Sequence, residues 1–153
     1  MEQVLRLVVV FFAALATGGL MVNWIGLGRA MSRLSVATYV EFHQATNQTF
    51  DPYMPFVVMG AVLGGIVLAI LSPGIHSPSG ELAIAGSVCY AAVIAIALTT
   101  NVRINYQIER WSVQSPPDDW TLTRARWVRF HIIRTLFSLP ALACYIIACL
   151  VVR

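Results

Sequence analysis

The chain has 153 residues, of which 58% are hydrophobic and 11% charged, with a formal net charge of +3. So small a polar complement cannot cover a water-facing surface, which excludes an ordinary soluble enzyme and points to a membrane protein. Four apolar stretches carry this reading, at about 4–27, 53–71, 82–101 and 129–152, each near the ~20 residues that cross a ~30 Å hydrocarbon layer as a helix.

In the first stretch Glu2 spoils the basic start of a secretory leader, and NWIGLGRAM offers no small-residue cleavage site, so the segment is read as a helix. Residues 33–52, RLSVATYVEFHQATNQTFDP, place Val36, Tyr39, Val40, His43 and Asn47 on one helical face. That spacing predicts a short interfacial helix, after which Asp51 and Pro52 read as the start of the next helix. The second stretch holds Gly60, Gly64 and Gly65, a mark of close helix packing either within the bundle or between copies in a homo-oligomer. The turn SPGIHSPSG follows, with an exposed His76 that is given no role.

The third stretch ends in TTNVRINYQIERW, where Asn101, Asn105 and Glu109 recur at helical spacing. Pro116 and Pro117 are expected to stop that helix, and Asp118 or Asp119 to cap the next. In the fourth stretch Trp120, Arg124, Trp127, His131, Arg134, Thr135 and Ser138 form one stripe, while Arg126 and Arg129 lie off it and read as headgroup anchors. Arg134 stands about four residues inside the apolar run, where an arginine costs ~1 to 3 kcal/mol unless it finds an acceptor. Pro140 is expected to bend this helix and open a cavity.

The expected architecture is therefore all-α: a single membrane domain, 1–153, built as an integral four-helix bundle with a short interfacial helix between helices one and two. No internal repeat is seen. Cys89, Cys144 and Cys149 fall inside apolar spans with no disulfide or metal spacing and read as small hydrophobes; no metal site is expected. All ten basic residues are arginine, and most sit in the two long connections. The positive-inside rule then puts those connections in the cytoplasm and both termini outside, in what is read as a bacterial plasma membrane.

Convergence of these segments predicts a pocket near the cytoplasmic boundary. Trp24 and Trp127 would form its aromatic walls, with Asn23, Asn101 and Asn105 as amide groups, Arg124 and Arg134 as cations, and His43, His131 and Glu109 as titratable groups. Such a lining suits a flat, hydroxylated, lipid-soluble aromatic compound. The expected partners are that small molecule and the bilayer, not nucleic acid. Two other readings stand beside it: an accessory or binding subunit for a quinone or lipid, and a b-type haem held by His43 and His131.

The pattern TTNVRIN, IERW, PPDDW and RARWVRFHIIRT, following three apolar helices, resembles the anthrone oxygenase-like family of small four-helix membrane proteins. The family's Asn-x-Pro-x-Asn block falls on Asn101 and Asn105, with Arg103 where proline is usual; its arginine block with a tryptophan falls on Arg126, Trp127, His131 and Arg134. The resemblance implies oxidation of polyketide anthrones to anthraquinones by molecular oxygen, a monooxygenase activity without metal or flavin. On that reading His43 or His131 is the base, Arg134 with Asn101 and Asn105 steadies the developing anion, and the tryptophans stack on the rings. Asn23, Arg124 and Glu109 complete the substrate contacts.

Overall fold

The computed structural model describes residues 2–71 and 74–151. Met1, both Ser72 and Pro73 of the expected turn, Val152 at the end of the expected fourth span, and Arg153 lie outside them. All regular elements among the described residues are helical. The four long helices are α1 (Glu2–Met31), α3 (Met54–Leu71), α4 (Pro78–Glu109) and α5 (Trp120–Leu150), each apolar and long enough to cross a membrane. The shorter α2 (Val36–Phe50) lies between the first two. This is the expected four-helix membrane bundle, with α1, α4 and α5 running into more polar sequence than the apolar stretches alone marked.

Local chemistry sets most of the ends. Ser35 caps α2, its hydroxyl accepting from the Thr38 N–H at 3.4 Å, and Ser77 caps α4 by accepting from the Gly80 N–H at 3.1 Å, with Pro78 in the first turn. The preceding turn uses Gly74 at a φ of 123°, a conformation open mainly to glycine. Asp119 does stand at the N-cap position of α5, yet its side chain makes no capping bond.

Two expected boundaries differ. The helix α4 stops at Glu109, well before Pro116 and Pro117. Gln44 Nε2 secures this end by donating to the carbonyls of Ile108 (2.9 Å), Glu109 (3.5 Å) and Trp111 (3.1 Å), and the Ile108 carbonyl also accepts from the Trp111 N–H at 3.0 Å in a closing turn. Asp51 does not open α3; it closes α2, its N–H donating to the Asn47 carbonyl at 2.9 Å.

The bundle is a ring in chain order, α1 against α3, α3 against α4, α4 against α5, and α5 back against α1. Its middle is held by two tyrosines whose hydroxyls find partners, as buried polar groups in lipid must. Tyr90 donates to the Ala13 carbonyl at 2.8 Å and meets Thr17 Oγ1 at 2.8 Å; Tyr145 donates to the Ala61 carbonyl at 2.9 Å and meets Ser87 Oγ at 3.0 Å. The glycines of α3 admit this packing. A side chain at Gly60 would strike Phe12, at Gly64 Val9, and at Gly65 both Tyr145 and Ser87. Large apolar residues such as Phe11, Phe56, Leu63 and Val88 point outward, as a lipid-facing surface requires.

At one end α2 packs across α4, burying Tyr39, Val40, His43 and Asn47. These four are members of the face that the spacing marked. Tyr39 and Val40 join Met31, Ile104, Ile108 and Trp127 in a second apolar cluster apart from the bundle core. At this same end two of the long helices widen into π turns, Val22–Leu27 in α1 and Ala97–Asn101 in α4. Such turns insert a residue into an α-helix and recur at functional sites.

Candidate functional site

A cavity of ≈ 150 Å³ lies between the two π turns and the end of α2. Leu20 and Asn23 reach it from α1, Ala97, Leu98, Asn101 and Asn105 from α4, Trp127 and Arg134 from α5, and Asn47 and Asp51 from α2 and its end. Met54, Val58, Val93 and Ile94 make its deeper wall apolar. Pro140 is not among the lining residues, and α5 runs through it as one helix. The opening is therefore associated with the π turns, not with the proline.

Asn105 organises the polar wall. Its Oδ1 accepts from Trp127 Nε1 at 2.7 Å and faces His43 Nε2 at 3.3 Å, while its Nδ2 donates to Asp51 Oδ2 at 3.3 Å. An indole N–H can only donate, which sets the orientation of the amide and makes His43 Nε2 a donor. Asn101 Nδ2 ties α4 to α5 by donating to the Trp127 carbonyl at 3.0 Å. The Trp127 indole stacks on His131, with centroids 4.9 Å apart at 7°, and meets the edge of His43 at 5.1 Å and 76°.

Arg134 has a partner, and it is His131. Its Nε and Nη2 donate to His131 Nδ1 at 3.2 and 2.8 Å, while His131 Nε2 lies 3.0 Å from the Leu20 carbonyl, at the edge of the π turn of α1. Arginine has no lone pair to offer, so Nδ1 is the acceptor and the proton resides on Nε2. Both nitrogens of His131 are thus engaged, and Trp127 fills the space between the two imidazoles. A haem cannot take both as axial ligands in this arrangement.

Asp51 is the charged group that the spacing did not select for chemistry. Its side chain is accessible and lines the cavity, and burial pushes its carboxyl above the ordinary carboxylate range. The Asn105 hydrogen bond and the Arg134 charge pull it back, and Glu109 pushes it up further. Asp51 and Arg134 feel one another across the cavity without forming a contact ion pair.

Asn47, which the spacing marked only as part of a buried face, also lines the cavity. It is 7% exposed, and its Nδ2 makes no hydrogen bond to any described residue. Tyr39 Oη, His43 Nδ1 and Glu109 Oε1 share that state. Buried polar atoms left unengaged are uncommon and concentrate where a structure serves something besides stability.

Of the residues expected to meet here, Asn23, Asn101, Asn105, Trp127 and Arg134 line one cavity. His131 stands behind Arg134, and His43 behind Asn105 and Trp127. Burial holds the His43 imidazole down from the ordinary 6.5 to about 4, against the opposing Asn105 bond. Glu109 is outside the lining and acts on Asp51 through its charge. Trp24 and Arg124 line a different groove between α1 and α5. There the Arg124 guanidinium lies 4.7 Å from the Trp120 ring centre and 5.7 Å from that of Tyr39, and donates to the Met31 carbonyl at 3.4 Å. Trp24 and Arg124 turn away because the rotation of α1 and α5 about their axes is set by packing, which sequence spacing does not report.

No curated protein and no solved structure matches this chain. The sequence model of the anthrone oxygenase family matches residues 42–144, a stretch that contains Asn47, Asp51, Asn101, Asn105, Trp127, His131 and Arg134. With the family's region covering most of the chain and all but the α1 wall of the cavity, the protein belongs to the anthrone oxygenase family.

Proposed function

We propose that the protein is a membrane-embedded oxygenase that uses molecular oxygen, without a bound cofactor, to oxidise a flat, hydroxylated aromatic substrate of the anthrone type. The observation that carries this reading is the cavity wall itself. A buried amide donor with no partner among the described residues, Asn47 Nδ2, shares it with a carboxylate, Asp51, and a guanidinium, Arg134, that do not neutralise each other in contact.

An anthrone carries an acidic CH₂ opposite its ring carbonyl. Asp51 takes one proton from that carbon, and its raised affinity for protons brings it nearer to the strength that the task needs. The negative charge moves to the ring oxygen, where Asn47 Nδ2 and the Arg134 guanidinium receive it. The carbanion passes an electron to oxygen, and recombination forms a C–O bond to a peroxide anion, which is protonated. Loss of the second carbon-bound proton with cleavage of the O–O bond leaves a carbonyl and releases water. In sum, CH₂ and O₂ become C=O and H₂O.

In this scheme His131 is a positioning residue, since it holds the arginine and has no free lone pair. Asn105 positions both Asp51 and Trp127, and the part of Trp127 that lines the cavity meets the rings.

Oxygen uptake by the purified protein with an anthrone, beside Asp51→Asn and Arg134→Gln, tests the proposal. Turnover above the spontaneous rate is expected, falling about 10²-fold or more in either variant. If the wild type binds the anthrone but consumes oxygen only at the spontaneous rate, the enzyme reading is lost and a binding subunit remains.

A further inference from the structure

Trp24 and Arg124, which sequence spacing assigns to the substrate pocket, belong instead to a second and larger opening. The groove between α1 and α5 measures ≈ 650 Å³ and is open to the outside of the bundle. Its mouth carries three arginines from two helices: Arg29, beside Ser32, on α1, and Arg124 and Arg129 on α5. No acidic side chain is among the described residues that line it. Val128 lies between the two arginines of α5, and farther along the lining becomes wholly apolar, through Ile132 and Ile133. At ~1.5 Å per residue, Ile133 lies about 6 Å beyond Arg129 along the helix axis.

A cationic mouth leading to an apolar floor, at the end of a membrane-spanning bundle, has the polarity profile of one anionic phospholipid. We propose that this groove is a binding site for an anionic phospholipid. The phosphate is met by Arg29, Arg124 and Arg129, the glycerol region by Trp24 and Ser32, and the start of an acyl chain lies over Val128 and Ile132. Basic pockets between spanning helices recognise headgroups in this way, and each arginine near the membrane surface adds an increment of attraction. Trp24 fits the same level, since an indole favours the boundary between headgroup and hydrocarbon.

The groove divides the surface arginines of α5 into two kinds. Arg129 lines it and Arg126 does not, although both are exposed, lie three residues apart and carry the same charge. General attraction to an anionic membrane would use them alike; a built site uses only Arg129. The same comparison provides a control for folding, because exposed arginines are replaced without disturbing the bundle core.

Native mass spectrometry of the detergent-purified full chain reads this directly. The probes are dioleoyl phosphatidylglycerol, the phosphatidylcholine with the same chains, and sn-glycerol 3-phosphate as the free headgroup. The wild type is expected to retain phosphatidylglycerol in preference to phosphatidylcholine, and glycerol phosphate is expected neither to bind nor to displace it. The variant Arg129→Gln should lose affinity for phosphatidylglycerol several-fold and Arg29→Gln/Arg129→Gln by about tenfold or more, while Arg126→Gln stays near wild type. Equal retention of the two lipids overturns the proposal, as does equal loss in Arg126→Gln and Arg129→Gln, which would mean surface attraction only. Binding of glycerol phosphate in place of the lipid overturns it in favour of a soluble phosphate compound.

Discussion

Asp51 shows how much the role of one residue depends on its partner. In the sequence it precedes a proline and an apolar run, the usual setting of a helix start. In the fold it ends α2, accepts from Asn105 and lines the cavity opposite Arg134. A base must be ionised to act, so activity is expected to rise with pH along a limb set above the usual carboxylate range. Asp51→Asn should remove that limb from the kcat/KM profile, which an altered scaffold alone would not do. His43 gives a separate and opposite-facing prediction about stability. Its folded pKa is depressed from 6.5 to about 4, so the unfolded chain takes up a proton first as the solution is acidified. The stabilisation from burying a neutral His43 is complete above pH ~6.5 and is lost as pH falls toward ~4, on the order of 3 kcal/mol in all. Thermal unfolding across that range should therefore be less acid-sensitive in His43→Gln, with Asn105 still offered a donor. Both residues were visible as polar letters. Their roles were not, because the bonds that define them join positions 54 and 62 residues apart.

Among the elements, the four spans and α2 follow from local pattern, and the glycines of α3 are legible for the same reason: three small residues in an apolar run leave room for neighbouring helices. Within the fold each faces a particular partner, which makes the packing testable. Gly65→Ala would drive a methyl group into Tyr145 and Ser87 and is expected to destabilise the bundle by about 1 to 3 kcal/mol. Gly18→Ala meets nothing nearby and should be neutral or slightly stabilising, since alanine favours the helix; thermal unfolding in detergent compares the two. The π turns contain no proline. The one in α1 includes Gly26, and at the one in α4 the Thr99 and Thr100 hydroxyls donate to the carbonyls of Ala95 and Ile96. Deleting Thr99 from the turn in α4 should return that segment to α-helical winding and keep the rest of the helix in phase. The expected result is a folded bundle, by circular dichroism, whose cavity wall at Ala97 and Leu98 is altered and whose oxygen uptake is lost.

For the whole molecule, the cavity, the arginine-rich groove and α2 all gather at one end of the bundle. By the positive-inside rule, we propose that this arginine-rich end faces the cytoplasm. A cysteine at Ser115 should accordingly resist a membrane-impermeant maleimide in intact cells, whereas one at His76 reacts; the reverse pattern would invert the topology. Membrane residence, all-helical class, the number of spans and the kinship of the chain could be read from the letters in order, because an apolar run long enough to cross lipid is a property of each segment alone. The separation of Arg134 from Arg124, the pairing of Arg134 with His131 and the recruitment of Asn47 and Asp51 could not. They depend on how far each helix is rotated about its axis and where it widens, and those quantities are set by side chains meeting across the bundle.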